Sequence, residues 1–421
     1  VKHRLQPWPR AGEEDIVVSQ KGAESARRGH PWIFRSAVLH PTGTHGAASP
    51  GSICRIVTES REVLGCGIYD PTSPIAARIW GLGPNAKLNA DTFRVRVERA
   101  LAIRRTLFPD AHTTAYRILN GEGDRVPGFV LDRYGDVAVL RIDGDAARHL
   151  APEITRHLDS LLQGEGITTL LERESARVGR TSTTQSKGIG SGRVNVRFGP
   201  ERGQVHVTEH GVPFVVDVMH GQKTGAFLDQ RENRKRIGEL VAMRLRAGLS
   251  ARVLNLFSYT GGFSLRAALA GATVTSLDIA PRAHLVAEQS FAAAGVAPQK
   301  HEFVVADAFT WLAEAKRRGQ SWDVVISDPP SFAPSERTKP KAMAAYRVLH
   351  RGCANVLAQN GHLVLASCSS HITLEDFATT FDDASLGRSD LEMIETFALP
   401  ADHPTLPSFP EGRYLKLVIL T

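Results

Sequence analysis

Several apolar runs in the second half of the chain end on residues able to do chemistry. ISDPPSF, Ile326 to Phe332, closes one run on an acid, two prolines, a hydroxyl and a ring. ASCSS, Ala366 to Ser370, closes another on Cys368 between serines. TSLDI ends at Asp278 with Ile279 beyond it, and ADAF brings Asp307, Ala308 and Phe309 to the end of a third. VLNLF runs into SYTGGFS, where Gly261 and Gly262 permit a tight turn and close backbone approach at a helix start.

Carboxylates at successive strand ends accept hydrogen bonds from ribose hydroxyls and an adenine amino group. Ser258 and Tyr259 occupy the early positions of what would be a GxGxxG fingerprint, which argues against a dinucleotide pyrophosphate. An adenosine with little phosphate suits this set, and S-adenosylmethionine fits it best. A thiolate at Cys368 is a nucleophile that can attack C6 of a pyrimidine, making C5 electron-rich enough to take a methyl group from a sulfonium. Asp328 precedes two prolines, so its loop leaves the strand stiff and extended, with the acid and Phe332 aimed at the same crevice. Plainer roles compete: each acid alone also serves as a helix N-cap, and Cys54, Cys66 and Cys353 read as small buried hydrophobes.

The elements that must position these groups alternate. From about Gln230, helical patterns such as NRKRIGELVAMRLRAG and RAHLVAEQSFAAAGV separate short apolar strands, the pattern of a parallel α/β sheet covered on both faces. Ligands gather past the carboxyl ends of such strands. Upstream, Asp15 to Gly81 reads as strands of a small barrel or curled sheet. An amphipathic helix follows over Asp91–Leu107, with Phe93, Val97, Leu101 and Ile103 or Leu107 inward. GFVLDRYGDVAVLRID reads as a hairpin, Ala151–Leu162 as one helix, ITTLLER as a strand, residues 179–193 as a flexible basic loop, and VHVTEHGVPFVVDV as a new strand.

At 421 residues the chain is long enough for two or three domains; the divisions expected are 1–85, 86–200 and 201–421. Residues 1–200 hold 28 Lys and Arg against 21 Asp and Glu, whereas residues 201–421 hold 23 of each, so the surplus charge of +7 sits in the front half. A basic front suits a polyanion or a solvated surface equally. Within it, ESARRGHPWIF places Arg27, Arg28 and His30 beside aromatic rings, a pattern suited to RNA phosphates and bases. Four unpaired-looking cysteines without CxxC spacing point to a reducing cytoplasm and to no structural metal. No run approaches the ~18 apolar residues that span a bilayer, so no membrane partner is expected.

NLFSYTGGF, SLDIA, ADAF, DPPSF and SCSS, preceded by HGQKTGAFLDQREN, resemble in this order the class I S-adenosylmethionine-dependent methyltransferase family that includes the large-subunit rRNA (cytosine-C5) methyltransferases I. SARRGHPWIF resembles that family's PUA signature, and LNGEGDRVPGFVLDRYGD its connecting domain. The resemblance implies a Rossmann-like methyltransferase sheet behind a PUA-like barrel and an α+β connecting domain. It implies Cys368 as nucleophile and Asp328 as the group that holds the pyrimidine. Phe257 to Gly262 (with Ser258, Tyr259, Thr260 and Gly261), Asp278, Ile279, Asp307, Ala308 and Phe309 look like the cofactor site. The KTGAFLDQR segment nominates Lys223, Thr224, Phe227, Asp229, Gln230 and Arg231, chiefly Asp229 and Arg231, as cofactor or target contacts, and Pro329, Pro330 and Phe332 join Lys223 against the RNA. Ser331 stands where better-known RNA cytosine-C5 methyltransferases carry a second cysteine. The implied partner is 23S rRNA or a large-subunit precursor, with a homodimer left open. Alternatives are an rRNA guanine-N7 methyltransferase and a non-catalytic ribosome-assembly factor.

Overall fold

The computed structural model describes residues 14–43, 49–174 and 193–421. Most of the basic stretch 179–193, including Arg180 and Lys187, lies outside them.

The first sheet has six strands in the order Trp32–Phe34, Ile75–Leu82, Val63–Tyr69, Ile53–Val57, Glu14–Val18, Val38–Gly43. It encloses Ile16, Val18, Ile33, Ile56 and Ile79 together with Ala23 and Ala26 of the helix Gln20–Arg27, and is the nearly closed barrel expected. A five-stranded sheet follows, in the order Val194–Phe198, Thr169–Glu174, Val137–Ile142, Phe129–Tyr134, Ala115–Asn120. The helix over its face runs Ala90–Leu107, opened by Asn89 accepting from the Thr92 amide at 2.8 Å. Phe93, Val97 and Leu101 are buried on the sheet while Ile103 and Leu107 are exposed, so the apolar stripe is narrower than its pattern.

Two elements differ from expectation. VHVTEHGVPFVVDV is a hairpin, Gln204–Glu209 with Val212–Asp217, because His210 and Gly211 both take positive φ (46° and 75°), as a tight two-residue turn needs. Ala151–Leu162 is not one helix: the chain is helical over Asp145–Ile154 and again over Leu158–Gly164. Arg197 takes the Thr155 carbonyl and hydroxyl at the break.

The last sheet has seven strands in the order Glu302–Val305, Thr273–Asp278, Arg252–Leu256, Trp322–Ser327, Leu357–Ser367, Lys416–Leu420, Met393–Phe397. The first five are parallel, and only Lys416–Leu420 runs against its neighbours. Chain order reverses beside Arg252–Leu256, so a crevice opens there past the strand ends. Val253, Val324, Ile326 and Val364 are fully buried, as strands covered on both faces require.

Residues 400–414, on the way into Lys416–Leu420, return to both upstream units. Asp402, fully buried, accepts two bonds from Arg231 at 2.8 and 3.0 Å and one from the Arg117 amide at 2.9 Å. Its own carbonyl accepts from Arg104, whose guanidinium also clamps Asp124. Phe409 meets the Trp32 ring edge-on at 4.6 Å, and Glu411 bonds His30 at 3.1 Å. Burial pushes the Asp402 carboxyl up, but His403 and Arg231 outweigh it and hold it well below the usual carboxylate range. Removing one partner of such a pair strands a buried charge. Asp402→Ala is therefore expected to lose about 3–5 kcal/mol of stability in urea unfolding, and an unchanged midpoint would remove this clamp from the account.

Candidate active site

The strand ends meet around one cavity of about 270 Å³. Phe257, Ser258, Tyr259, Thr260, Gly262, Asp278, Ile279, Asp307, Ala308, Asp328, Pro329, Pro330 and Cys368 line it, as do Lys223, Phe227, Asp229 and Gln230 from the KTGAFLDQR segment. The backbone is strained here: Lys223, Phe257 and Tyr259 are non-glycine residues at φ 51°, 57° and 47°. Asp278 draws the first turn tight by accepting from the Tyr259 amide at 2.8 Å and the Ala280 amide at 2.9 Å. Gly262 has to be glycine, because a Cβ would stand 2.5 Å from Arg234 Cδ. Asp307 caps its helix through Thr310 at 3.0 Å and still borders the cavity.

Charge is concentrated at the far end. Lys223 Nζ lies 2.9 Å from Asp229 and 4.5 Å above the Phe227 ring, and the Tyr414 hydroxyl donates to the same Asp229 oxygen at 2.7 Å. Burial pushes Asp229 up, but Lys223, His403 and Tyr414 outweigh it and hold the carboxylate ionised. Its other oxygen, Oδ1, is buried without a hydrogen-bond partner among the described residues. Asp328 borders the cavity; burial first and the Asp229 charge second push it up to about 7, against Lys223 and the Gln230 amide, which donates to it at 2.9 Å. Cys368 is partly exposed, and burial and then Asp328 raise its thiol to about 11 while Lys223 pulls it down. Ser331 and Ser369 bond at 3.0 Å and tie the DPPS loop to the cysteine loop.

Some expected contacts lie elsewhere. Arg231 is 2% exposed and committed to Asp402, so it frames the site from behind. Thr224 is buried on Asp132 and Tyr134. Phe309 and Phe332 pack on the core, Phe332 4.9 Å from Tyr346, because the stiff proline exit carries the ring past the cavity. Gly261 turns the chain behind the lining. His30 is buried, taken up by Glu411 and the Trp32 carbonyl, whereas Arg28 is exposed and Arg27 shares Glu62 at 2.5 Å. Cys54, Cys66 and Cys353 are buried, as read.

Residues without a legible motif shape the site. Arg173 donates to the Val218 and Lys223 carbonyls at 2.7 and 2.8 Å and holds the KTGAF loop in its left-handed course. Asp132 accepts from Thr224 and, at 2.8 Å, from Arg117, and the Tyr134 hydroxyl accepts from the Ala226 amide at 3.1 Å. A charge inside an apolar strand, as in TLLER or LDRY, was the available signal.

Two family models match: a PUA-like domain over residues 16–81, and an S-adenosylmethionine-dependent methyltransferase over residues 174–411. The chain belongs to the S-adenosylmethionine-dependent methyltransferase family. A ribosomal RNA large subunit methyltransferase of Deinococcus radiodurans is 36% identical over 96% of both chains. Ribosomal RNA large subunit methyltransferase I of Escherichia coli is 33% identical over 95% of this chain and 97% of its own. A structure of a protein described as an S-adenosylmethionine-dependent methyltransferase from Streptococcus mutans shares the fold at TM-score 0.81 and 22% identity, over 97% of this chain and 99% of that one. S-adenosylmethionine is thus the cofactor of this methyltransferase, and the site fits it: the strand-end acids Asp278 and Asp307 border the cavity, and Asp229 Oδ1 lacks a donor among the described residues. No group of three or more metal-ligating side chains gathers among the described residues, and no helix there is long and apolar enough to cross a membrane.

A raised acid beside an ionised one is testable directly. Below about pH 7 Asp328 keeps its proton and above it the carboxylate forms. Asp229→Asn removes the neighbouring charge and frees Lys223, so the Asp328 midpoint, followed by its infrared carboxyl stretch, is expected to fall by about one unit or more. A midpoint that stayed or rose would reject the coupling.

Proposed function

We propose that this methyltransferase methylates C5 of a cytidine in large-subunit (23S) rRNA through a covalent bond between Cys368 and C6. The observation that carries the reading is that Cys368 and Asp328 line the same cavity as the strand-end acids of the cofactor site. The names of the relatives support rRNA of the large subunit, or its precursor, as substrate. Free cysteines among the described residues support a reducing cytoplasm.

Asp278, Asp307, Ile279 and Ala308 would hold the adenosine, and Tyr259, Thr260 and Asp229 the amino-acid end. When bound, the cofactor supplies an electrophilic methyl group and leaves as a neutral thioether. The target cytidine has to be unstacked, because C6 is out of reach within a stack. Cys368 gives its proton to water and its sulfur bonds C6; the C5=C6 pair shifts toward C5 and N3. Asp328, half protonated near neutrality, donates to N3 and accepts from the exocyclic amine, so the ring takes negative charge more easily. Once C5 carries the methyl group, water takes its hydrogen as a proton, that bonding pair restores C5=C6, and the sulfur departs as thiolate. Lys223 favours the thiolate at both ends of the cycle. Guanine N7 is nucleophilic unaided, so an N7 reaction would leave Cys368 without a task.

Cys368→Ala is expected to cut methyl transfer to unmodified large-subunit rRNA by more than ~10³-fold while cofactor binding by calorimetry persists. Near-normal transfer, or a methylated base other than cytosine by mass spectrometry, would overturn the route. For the RNA surface, Arg28 is 79% exposed by side chain and Arg27 47%. Replacing both with glutamate should weaken RNA binding and reduce its salt slope by about 1–2; an unchanged slope would take the pair out of the interface.

A further inference from the structure

Lys416 opens the apolar strand Lys416–Leu420, opposite Ser367 at the tip of the strand that leads to Cys368. It is 8% exposed, and its ammonium donates to the Ser369 carbonyl at 2.7 Å and the Ile372 carbonyl at 2.6 Å. Those two carbonyls belong to the chain leaving Cys368. No carboxylate bonds this ammonium among the described residues; Asp376, its neighbour in charge, is paired with Lys339 at 2.7 Å. Burial lowers Lys416 to about 8, with Cys368 and then Asp376 opposing the shift.

The other groups facing Cys368 do not supply a spare cation. Asp328 and Asp229 oppose its ionisation, Lys223 is shared with Asp229, and burial keeps Tyr346 and Tyr414 neutral. Among the described residues the Lys416 ammonium, bonded one peptide away at the Ser369 carbonyl, is a further positive charge with no carboxylate bonded to it. We propose that Lys416 is a positioning residue for the nucleophile: it pins the turn from Cys368 to Ile372 so that the sulfur faces the cavity, and its charge balances the thiolate as it forms. The inference rests on Cys368 as nucleophile, a role that Cys368→Ala tests by itself.

The test reads the thiol directly. Alkylation of Cys368 by iodoacetamide is followed over a pH series and located by peptide mass spectrometry, since the three other cysteines are buried. Lys416→Met is expected to cut the alkylation rate at pH 7, where the ammonium is charged, about tenfold or more, and to lower kcat near neutrality to a similar extent with the KM for S-adenosylmethionine unchanged. Lys416→Arg should recover part of the rate at pH 7. A Lys416→Met protein that binds S-adenosylmethionine and is alkylated at the wild-type rate at pH 7 overturns the inference, whatever its activity. Should that variant not fold, the wild type decides: its reactivity should rise less steeply above about pH 8, where the ammonium titrates, and a single-group curve overturns the proposal. If Cys368→Ala retains methyl transfer, the covalent route fails, and the alkylation result still reports on the lysine.

Discussion

One ammonium, that of Lys223, serves two carboxyl groups and a thiol around one cavity. Asp229 takes its hydrogen bond at 2.9 Å, and its field reaches both Asp328 and Cys368. Because that charge is spent largely on Asp229, Asp328 remains near neutrality and Cys368 remains a thiol. A fully neutralised site would hold an inert carboxylate, and an unneutralised one would not tolerate two acids. The acid–base character of the site thus follows from a deliberate shortage of positive charge.

Holding Lys223 there requires the middle sheet. Arg173 on Thr169–Glu174, and Asp132 and Tyr134 on Phe129–Tyr134, take up the carbonyls, hydroxyl and amide of the KTGAF loop. With those bonds made, Lys223 can occupy a φ of 51° that a free loop would leave. The connecting unit is therefore part of the active site's wall and more than a spacer between barrel and catalytic sheet.

The 400–416 segment links the remaining parts. Within it Asp402 gathers Arg231 and the Arg117 amide, Phe409 and Glu411 hold Trp32 and His30, Tyr414 reaches Asp229, and Lys416 reaches the cysteine loop. A residue bound for the barrel and a residue bound for the cysteine loop are thus neighbours on one short piece of chain. This fixes the barrel's aromatic cluster against the catalytic unit, and it explains why His30, next to two exposed arginines, is structural.

What the chain by itself determined is which chemical groups stand at the strand tips. Asp278, Asp307, Asp328 and Cys368 follow apolar runs, and parallel strands joined by helices put all such ends on one side. Local pattern carries that information, so fold class and most of the cavity lining were readable. It also misled where pattern is degenerate: a ring after two prolines looked like a stacking platform, and His210–Gly211 hid a turn inside what read as one strand. What only the tertiary structure decided is which charge meets which. Arg231 finds Asp402 171 residues away, Gln230 finds Asp328 across 98, and Lys416 finds Ser369 across 47. Burial and Coulomb interaction depend on distance through space, so the protonation of Asp328 and Cys368, and with it the chemistry, was settled by folding.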